Sequence, residues 1–295
     1  MLQIAVARVA GGLLNHFETI RELLDVLVQS DEVHVLALES APGLGKSSTI
    51  EESLHGMGAR YRSVGSYSTA LHLFNTLSTA AQGEILILDD CAGLFTNDIS
   101  LAILKGATWA SAGHGGERRV RWGSTTALKT TDEFAFCGKL ILIANHIPRG
   151  EETRAFLQRA MHLRVELTDL ELAQLLTEAA NSAHHFEDVL LAKEVATHLV
   201  KNLSRYNSSE INIRTLRKGY EIAKHKPEKW QVLLEKLLPK TRPEDLVAQL
   251  HRSSLSVVEQ AKEFMRVTKM SERSFYNHRK NFVSSQNAVA GSQRV

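Results

Sequence analysis

The sequence is poor in the residues that staple a chain together or carry it across a bilayer. Its 295 residues include two cysteines, Cys91 and Cys137. That is too few for a disulfide framework, and their wide separation matches no metal-ligand spacing. Each lies within or beside an apolar run, so both are read as small core side chains, and a reducing cytoplasm is the expected setting. Five prolines occur, which favours a helix-rich chain. No stretch approaches the roughly 18 apolar residues of a membrane span. The start, Met1-Leu2-Gln3-Ile4-Ala5, lacks the charged opening and long apolar run of a secretory signal. A soluble intracellular protein without membrane contact is therefore expected. Net charge is only +2, so contact with nucleic acid must come from local patches rather than a global field. Hydrophobic residues at 43% and charged residues at 23% are ordinary for a globular protein and supply a sizeable core. The length suits two or three domains.

Apolar residues at helical spacing (Leu14, Phe17, Ile20, Leu23, Leu24, Leu27) predict an amphipathic helix over 13–28. Nearly continuous apolar runs follow at 33–38, 84–88 and 139–144, with a shorter one at 163–167. Helical stretches separate them. That alternation predicts an α/β fold, a parallel sheet covered by helices on both faces. From residue 168 helical periodicity dominates, and a break around Pro239 and Pro243 begins a last segment. The expected organisation is an αβα core over 1–167, a helical region over 168–238 and a small helical domain over 239–283. The tail 284–295, small and polar, is expected to be disordered.

The first run leads into Ser40-Ala41-Pro42-Gly43-Leu44-Gly45-Lys46-Ser47-Ser48. This meets the phosphate-loop pattern G-x-x-x-x-G-K-[ST] except that Ser40 stands at its first position. Gly43 and Gly45 let backbone N–H groups turn inward to cradle phosphate oxygens, with Pro42, Leu44 and Ser48 completing the loop. Lys46 would neutralise the β- and γ-phosphates of ATP. Ser47 would offer its hydroxyl to Mg²⁺, and the following helix adds the positive end of its dipole. The run 84–88 ends in Asp89-Asp90. A buried strand that delivers carboxylates to its C-terminal end suits Mg²⁺ binding at Asp89 and activation of the attacking water at Asp90. The run 139–144 ends in Asn145.

The order Lys46-Ser47, Asp89-Asp90, Asn145 resembles the AAA+ superfamily of P-loop ATPases. The resemblance spans roughly residues 30 to 225. It implies an ATPase with a helical lid after the αβα core, and with Asn145 positioning the lytic water. AAA+ proteins usually carry glutamate where this chain has Asp90. Two further positions follow from the resemblance. Arg159, with Arg154 second, falls where an arginine finger reaches the γ-phosphate of a neighbouring subunit, implying a ring or spiral, most simply a hexamer. Arg214, with Arg217 one turn on, falls where a lid residue touches the nucleotide.

Between the acids and the asparagine lies a predicted helix over 97–110, then a glycine-rich tip at 111–116 and the alternating Arg119, Val120, Arg121, Trp122. Lys105-Gly106 followed by a basic hairpin resembles superfamily 3 helicases of viruses and mobile elements. On that resemblance Arg118, Arg119 and Arg121 would hold phosphates and Trp122 would stack on a base.

Beyond Pro243 three short helices are predicted, over 243–250, 256–267 and 271–282. The last resembles the recognition helix of helix-turn-helix domains. Phe275 and Phe282 share its inner face, while Arg273, Asn277 and Lys280 point outward. Lys262, Arg266, Lys269, Arg273, Arg279 and Lys280 stand against Glu263 and Glu272, a local positive patch of the kind DNA binding needs. The histidines, including His184-His185 and His225, form no metal-ligand cluster.

These features together imply an oligomeric motor acting on DNA in replication or mobile-element maintenance, a helicase or helicase loader, alongside the proteins of such a system. Two other readings stay open. One is a transcriptional regulator, against which stands the lack of a Gly-Ala-Phe-Thr-Gly-Ala loop. The other is a non-hydrolysing nucleotide switch that scaffolds partners.

Overall fold

The computed structural model describes residues 14–65, 69–109, 117–123, 131–182, 186–203, 206, 210–238, 243–251, 253 and 255–292. The glycine-rich tip at 111–116 and the pair His184-His185 lie outside the described residues. The chain divides into two compact units between Thr168 and Asp169.

The first unit is organised by a parallel sheet. Its strands are β1 (Val35–Ser40), β2 (Tyr61–Val64), β3 (Ile85–Leu88), β6 (Lys139–Ala144) and β7 (Met161–Val165), in the spatial order β2-β3-β6-β1-β7. The three central strands are apolar on both faces because both faces are covered. Val35, Ala37, Leu86, Leu88, Leu140 and Leu142 enter one cluster, while Leu36, Leu38, Ile85, Ile87, Ile141 and Ile143 enter the other. Each fully buried aliphatic side chain contributes about 1.5–3 kcal/mol, so a one-residue slip of any strand would exchange two packed faces at once.

Helices α1 (Leu14–Gln29) and α2 (Lys46–Gly56) supply residues to the second cluster through Ile20, Leu24, Leu27, Ile50 and Leu54. Helices α3 (Ala70–Ser78), α4 (Asp98–Thr108) and α5 (Glu151–Leu157) serve the first through Leu73, Phe74, Leu101, Leu104 and Phe156. Thr69 and Asn97 cap α3 and α4, accepting bonds from the backbone N–H groups of His72 and Ser100. A reverse cap closes α1: Lys139 Nζ donates to the carbonyls of Leu27, Val28 and Ser30 at 2.7, 2.9 and 2.8 Å, satisfying acceptors that a helix end leaves open.

Three expectations needed adjustment. β1 runs to Ser40 rather than ending at Leu38, because Glu39 is buried with its carboxylate hydrogen-bonded, which removes the cost of burying a polar residue. β2 carries no apolar run and sits at the sheet edge, so periodicity does not reveal it. Cys91 is buried, its thiol pushed up to about 12 chiefly by desolvation, but Cys137 is exposed in the turn between two strands and is not a core residue.

A second, two-stranded antiparallel sheet joins β4 (Arg119–Arg121) to β5 (Glu133–Ala135). The basic strand therefore pairs with a segment that follows it in the chain. Gly106 makes this ribbon's seat on α4 possible, since a Cβ there would meet the Arg119 carbonyl oxygen at 3.0 Å.

The second unit is helical: α6 (Asp169–Asn181), α7 (Val189–Lys201), α8 (Ile213–His225), α9 (Trp230–Leu237), α10 (Pro243–His251), α11 (Val257–Thr268) and α12 (Glu272–Ser292). A Cβ on Gly219 of α8 would lie 2.6 Å from Val195 Cγ1 of α7 and 3.1 Å from Leu234 Cδ2 of α9, so glycine sets how closely these helices approach. Leu246, Val247, Leu250, Ala261, Phe264 and Phe275 form a separate cluster among α10, α11 and α12. Ser256 and Glu259 build a capping box at the start of α11, and Lys269, in left-handed backbone at φ 60°, ends it. α12 continues past Phe282 to Ser292 into the segment read as a disordered tail. That segment holds no proline and no glycine before Gly291, so nothing local stops a helix already nucleated.

Candidate functional site

Sheet order brings the three motifs together. β6 lies between β3 and β1, so Asn145 leaves the sheet between Asp89 on one side and the phosphate loop on the other. This is the carboxyl edge of a parallel sheet, where α/β folds place their ligands.

The loop from β1 to α2 has Gly43 at φ 75° and Gly45 at φ 84°, the left-handed conformation that glycine adopts without strain. Ser40 is not among the positive-φ residues. It closes β1 as a buried strand residue, so serine at the pattern's first position carries no backbone penalty. Lys46 is 8% exposed and its Nζ donates to the carbonyls of Ser40 and Ala41 at 2.7 and 3.0 Å. The first turn of α2 contains no acid, so no carboxylate of its own opposes the positive end of the helix dipole.

Ser47 Oγ donates to Asp89 Oδ2 at 2.6 Å, and the other Asp89 oxygen accepts from the Asp90 N–H at 2.8 Å. Asp90 is held at φ 53°, ψ 41° at the head of a short 3-10 helix, Cys91–Thr96. A side chain in that conformation costs about 1–2 kcal/mol, although aspartate tolerates it better than most, and such outliers gather at functional sites. Asn145 Nδ2 donates to Asp90 Oδ1 at 3.4 Å.

Among the described residues no group of three or more His, Cys, Asp or Glu could hold a metal ion. A divalent cation here would rest on the Ser47 hydroxyl and the Asp89 carboxylate, with phosphate oxygens completing its shell. That donor set suits magnesium.

Glu39 is a functional candidate that motif reading missed. It is 6% exposed, and its Oε1 accepts from the Ile147 N–H at 3.2 Å and lies 3.2 Å from His146 Nδ1. Its Oε2 lies 3.6 Å from His162 Nε2; burial lowers the pKa of that histidine and Glu39 partly restores it. The signal in the sequence was an acid at the end of an otherwise continuous buried run.

The remaining candidates lie on other elements. Arg154 is exposed on α5. Arg159 is exposed in the turn before β7, with its guanidinium 5.2 Å from the centre of the Trp109 ring. Among the described residues neither bonds to Ser47, Asp89, Asp90 or Asn145. Arg214 lies in the first turn of α8, exposed like Arg217, behind the N-cap Asn212. On the ribbon, Arg119 pairs with Glu117 and Glu133 at 2.8 and 2.9 Å, and Arg121 with Glu133 at 2.9 Å, which offsets much of the expected positive charge. Arg118 points inward, donating to the carbonyls of Ala107 and Gly138. Trp122 is half-buried, its ring 5.6 Å from that of Phe74 and packed against the edge of the first cluster.

On α12, Phe275 is fully buried against Phe264, their ring centres 5.5 Å apart, and Phe282 packs onto the same cluster. Arg273, Asn277 and Lys280 are exposed on the opposite face. Tyr276, 42% exposed, joins them at helical spacing. Motif reading passed over that aromatic.

No protein-family model matches the sequence, and no curated protein matches it significantly. Solved structures do match. Two variants of RuvB from Thermotoga maritima each superpose with a TM-score of 0.50 at 13% identity; one match covers 90% of this chain and 88% of that one, the other 90% and 87%. A further RuvB structure, described as a Holliday junction branch migration motor, gives 0.49 at 12% identity over 89% and 87%. The fold is shared with these RuvB structures, an α/β core followed by a helical region.

Proposed function

We propose that this chain is an AAA+ ATPase that binds ATP with magnesium, hydrolyses it, and uses the cycle to act on DNA. The observation that carries the nucleotide half is the 2.6 Å bond between Ser47 and Asp89, made beside a glycine turn and within one residue of the Asn145–Asp90 contact. Lys46 and the N–H groups around Gly43 and Gly45 hold the β- and γ-phosphates, with Pro42, Leu44 and Ser48 shaping the loop. Magnesium, when bound, supplies positive charge to the phosphate oxygens. Ser47 and Asp89 are the residues that hold it. Asn145 orients the attacking water, and Asp90 accepts its proton.

Arg159, or Arg154, completes the site of a neighbouring copy, and Arg214 approaches nucleotide from the helical region. Both roles require a ring or spiral assembly, most simply a hexamer. The DNA half rests on the exposed face Arg273, Tyr276, Asn277, Lys280 of α12, behind the helix-turn-helix-like hinge at Lys269. Arg119 and Arg121 are secondary contacts, since Glu117 and Glu133 already engage them. In this reading the chain is a DNA motor in replication or mobile-element maintenance, working with other proteins of that system. Two unpaired cysteines suit the reducing cytoplasm, and among the described residues no helix is long and apolar enough to cross a membrane.

The test is ATP hydrolysis by the purified chain, alone and with single- or double-stranded DNA, beside Lys46→Ala. Stimulation by DNA that vanishes in the variant supports a motor, and the preferred strand type narrows its class. Turnover that depends on Lys46 but not on DNA redirects the reading to protein remodelling or transcriptional regulation. Lys46-dependent binding with almost no turnover leaves a nucleotide switch.

A further inference from the structure

Glu39 touches neither the candidate phosphate site nor the metal ligands, yet it joins both sides of the site. Its main chain lies in β1, pairs in register with Ala144 of β6 and precedes Ser40, whose carbonyl accepts from Lys46 Nζ at 2.7 Å. Its side chain crosses to the turn that carries Asn145. There Oε1 takes the Ile147 N–H and faces His146 Nδ1, both at 3.2 Å, and Oε2 faces His162 of β7.

We propose that Glu39 is a positioning residue: its buried carboxylate clamps the turn after β6 and so places Asn145 over the reacting phosphate. This rests on the ATPase reading above. The sheet ladder holds the chain only as far as Ala144. Beyond it, the one hydrogen bond of the Asn145 side chain among the described residues is long, 3.4 Å to Asp90, too weak to fix its own position. The bonds to Glu39 immediately after Asn145 supply what that contact lacks. A buried carboxylate persists where hydrogen bonds offset its desolvation, and those bonds are spent on the Asn145 turn. Because the same residue abuts the carbonyl that Lys46 engages, movement of the phosphate loop and of Asn145 are tied through one side chain.

The experiment uses the full chain and five variants: Glu39→Ala, Glu39→Gln, Asn145→Ala, the Glu39→Ala/Asn145→Ala double variant, and Lys46→Ala. Affinity for a fluorescent ATP analogue, kcat and thermal midpoint are measured for each. Glu39→Ala should lower kcat about tenfold or more while leaving affinity within about twofold, since misplacing a catalytic group acts on the transition state. The double variant should be no slower than Asn145→Ala, because residues acting as one unit are not additive. Glu39→Gln, whose amide oxygen still accepts from Ile147, should recover most of the loss. Additive effects, or affinity and kcat falling together, overturn the positioning role. If Glu39→Ala does not fold, Glu39→Asp, which shortens the reach, replaces it in the same cycle. Hydrolysis that is absent from the native chain or unaffected by Lys46→Ala overturns the ATPase reading, and the positioning role with it.

Discussion

The Ser47 hydroxyl donates to Asp89 Oδ2 across 2.6 Å, joining the first turn of α2 to the end of β3 over a separation of 42 residues. The bond places the two proposed magnesium ligands side by side. Ser47→Ala and Asp89→Asn should each lower magnesium-dependent hydrolysis by about 100-fold, measured as steady-state rates across a magnesium titration. Rates near native for either variant would remove that residue from the metal site.

Asp90 combines a carboxylate with left-handed backbone at φ 53°, and two substitutions separate these properties. Asp90→Asn should abolish turnover while nucleotide stays bound. Asp90→Gly should do the same yet hold or raise stability by up to about 1 kcal/mol, because glycine adopts this conformation freely. Turnover and urea unfolding decide the matter; an active Asp90→Asn would remove the general base.

His34 governs part of the acid limb of stability. Burial first, then the charges of Arg118 and Lys139, lower its pKa from 6.5 to about 4, against a smaller opposing pull from Asp31. Between those values the unfolded chain binds a proton that the folded chain does not. The contribution is therefore complete above pH 6.5 and lost as pH falls to about 4. His34→Gln should flatten this limb by about 1 kcal/mol, a figure discounted for solvent screening at a half-buried ring. Denaturant midpoints at pH 7 and pH 4.5 give the difference, and equal slopes in both proteins would refute it.

Trp122 is packed against Phe74 and the first core cluster. Trp122→Ala should cost about 1–3 kcal/mol of stability by removing the ring packed against Phe74. Selective loss of DNA affinity with an unchanged thermal midpoint would restore the base-stacking role.

The exposed face of α12 should behave as a phosphate-contact surface. Arg273→Ala and Lys280→Ala should each weaken DNA binding across unrelated sequences and lower the salt slope by about one. Arg121→Ala should have a smaller effect, its charge being already paired with Glu133. Fluorescence anisotropy at several salt concentrations tests this. Unaltered binding by the α12 variants would leave that helix a packing element.

The candidate site was readable in part because its motifs sit where strand periodicity ends. Runs such as Leu86-Ile87-Leu88 and Leu140-Ile141-Leu142-Ile143 are buried on both faces, so composition alone marks the strands, and the polar residues that follow mark their carboxyl ends. Glu39 escaped notice because its meaning lies in His146, Ile147 and His162, residues far from it in the chain. Arg118 and Arg119 read alike as neighbouring bases, yet one donates to core carbonyls and the other to surface acids; alternation predicts opposite faces but not which face the core will claim.

The sequence by itself determined the central strands, the glycine turn after β1 and the helix faces, because these follow from local periodicity and the conformational freedom of glycine. Tertiary structure alone decided that β6 enters between β3 and β1, that Asp90 takes a left-handed turn, that Trp122 packs beside Phe74, and that the buried Glu39 carboxylate meets the turn after Asn145. Each of these depends on which strands become neighbours, a contest among long-range contacts that no short stretch of chain encodes.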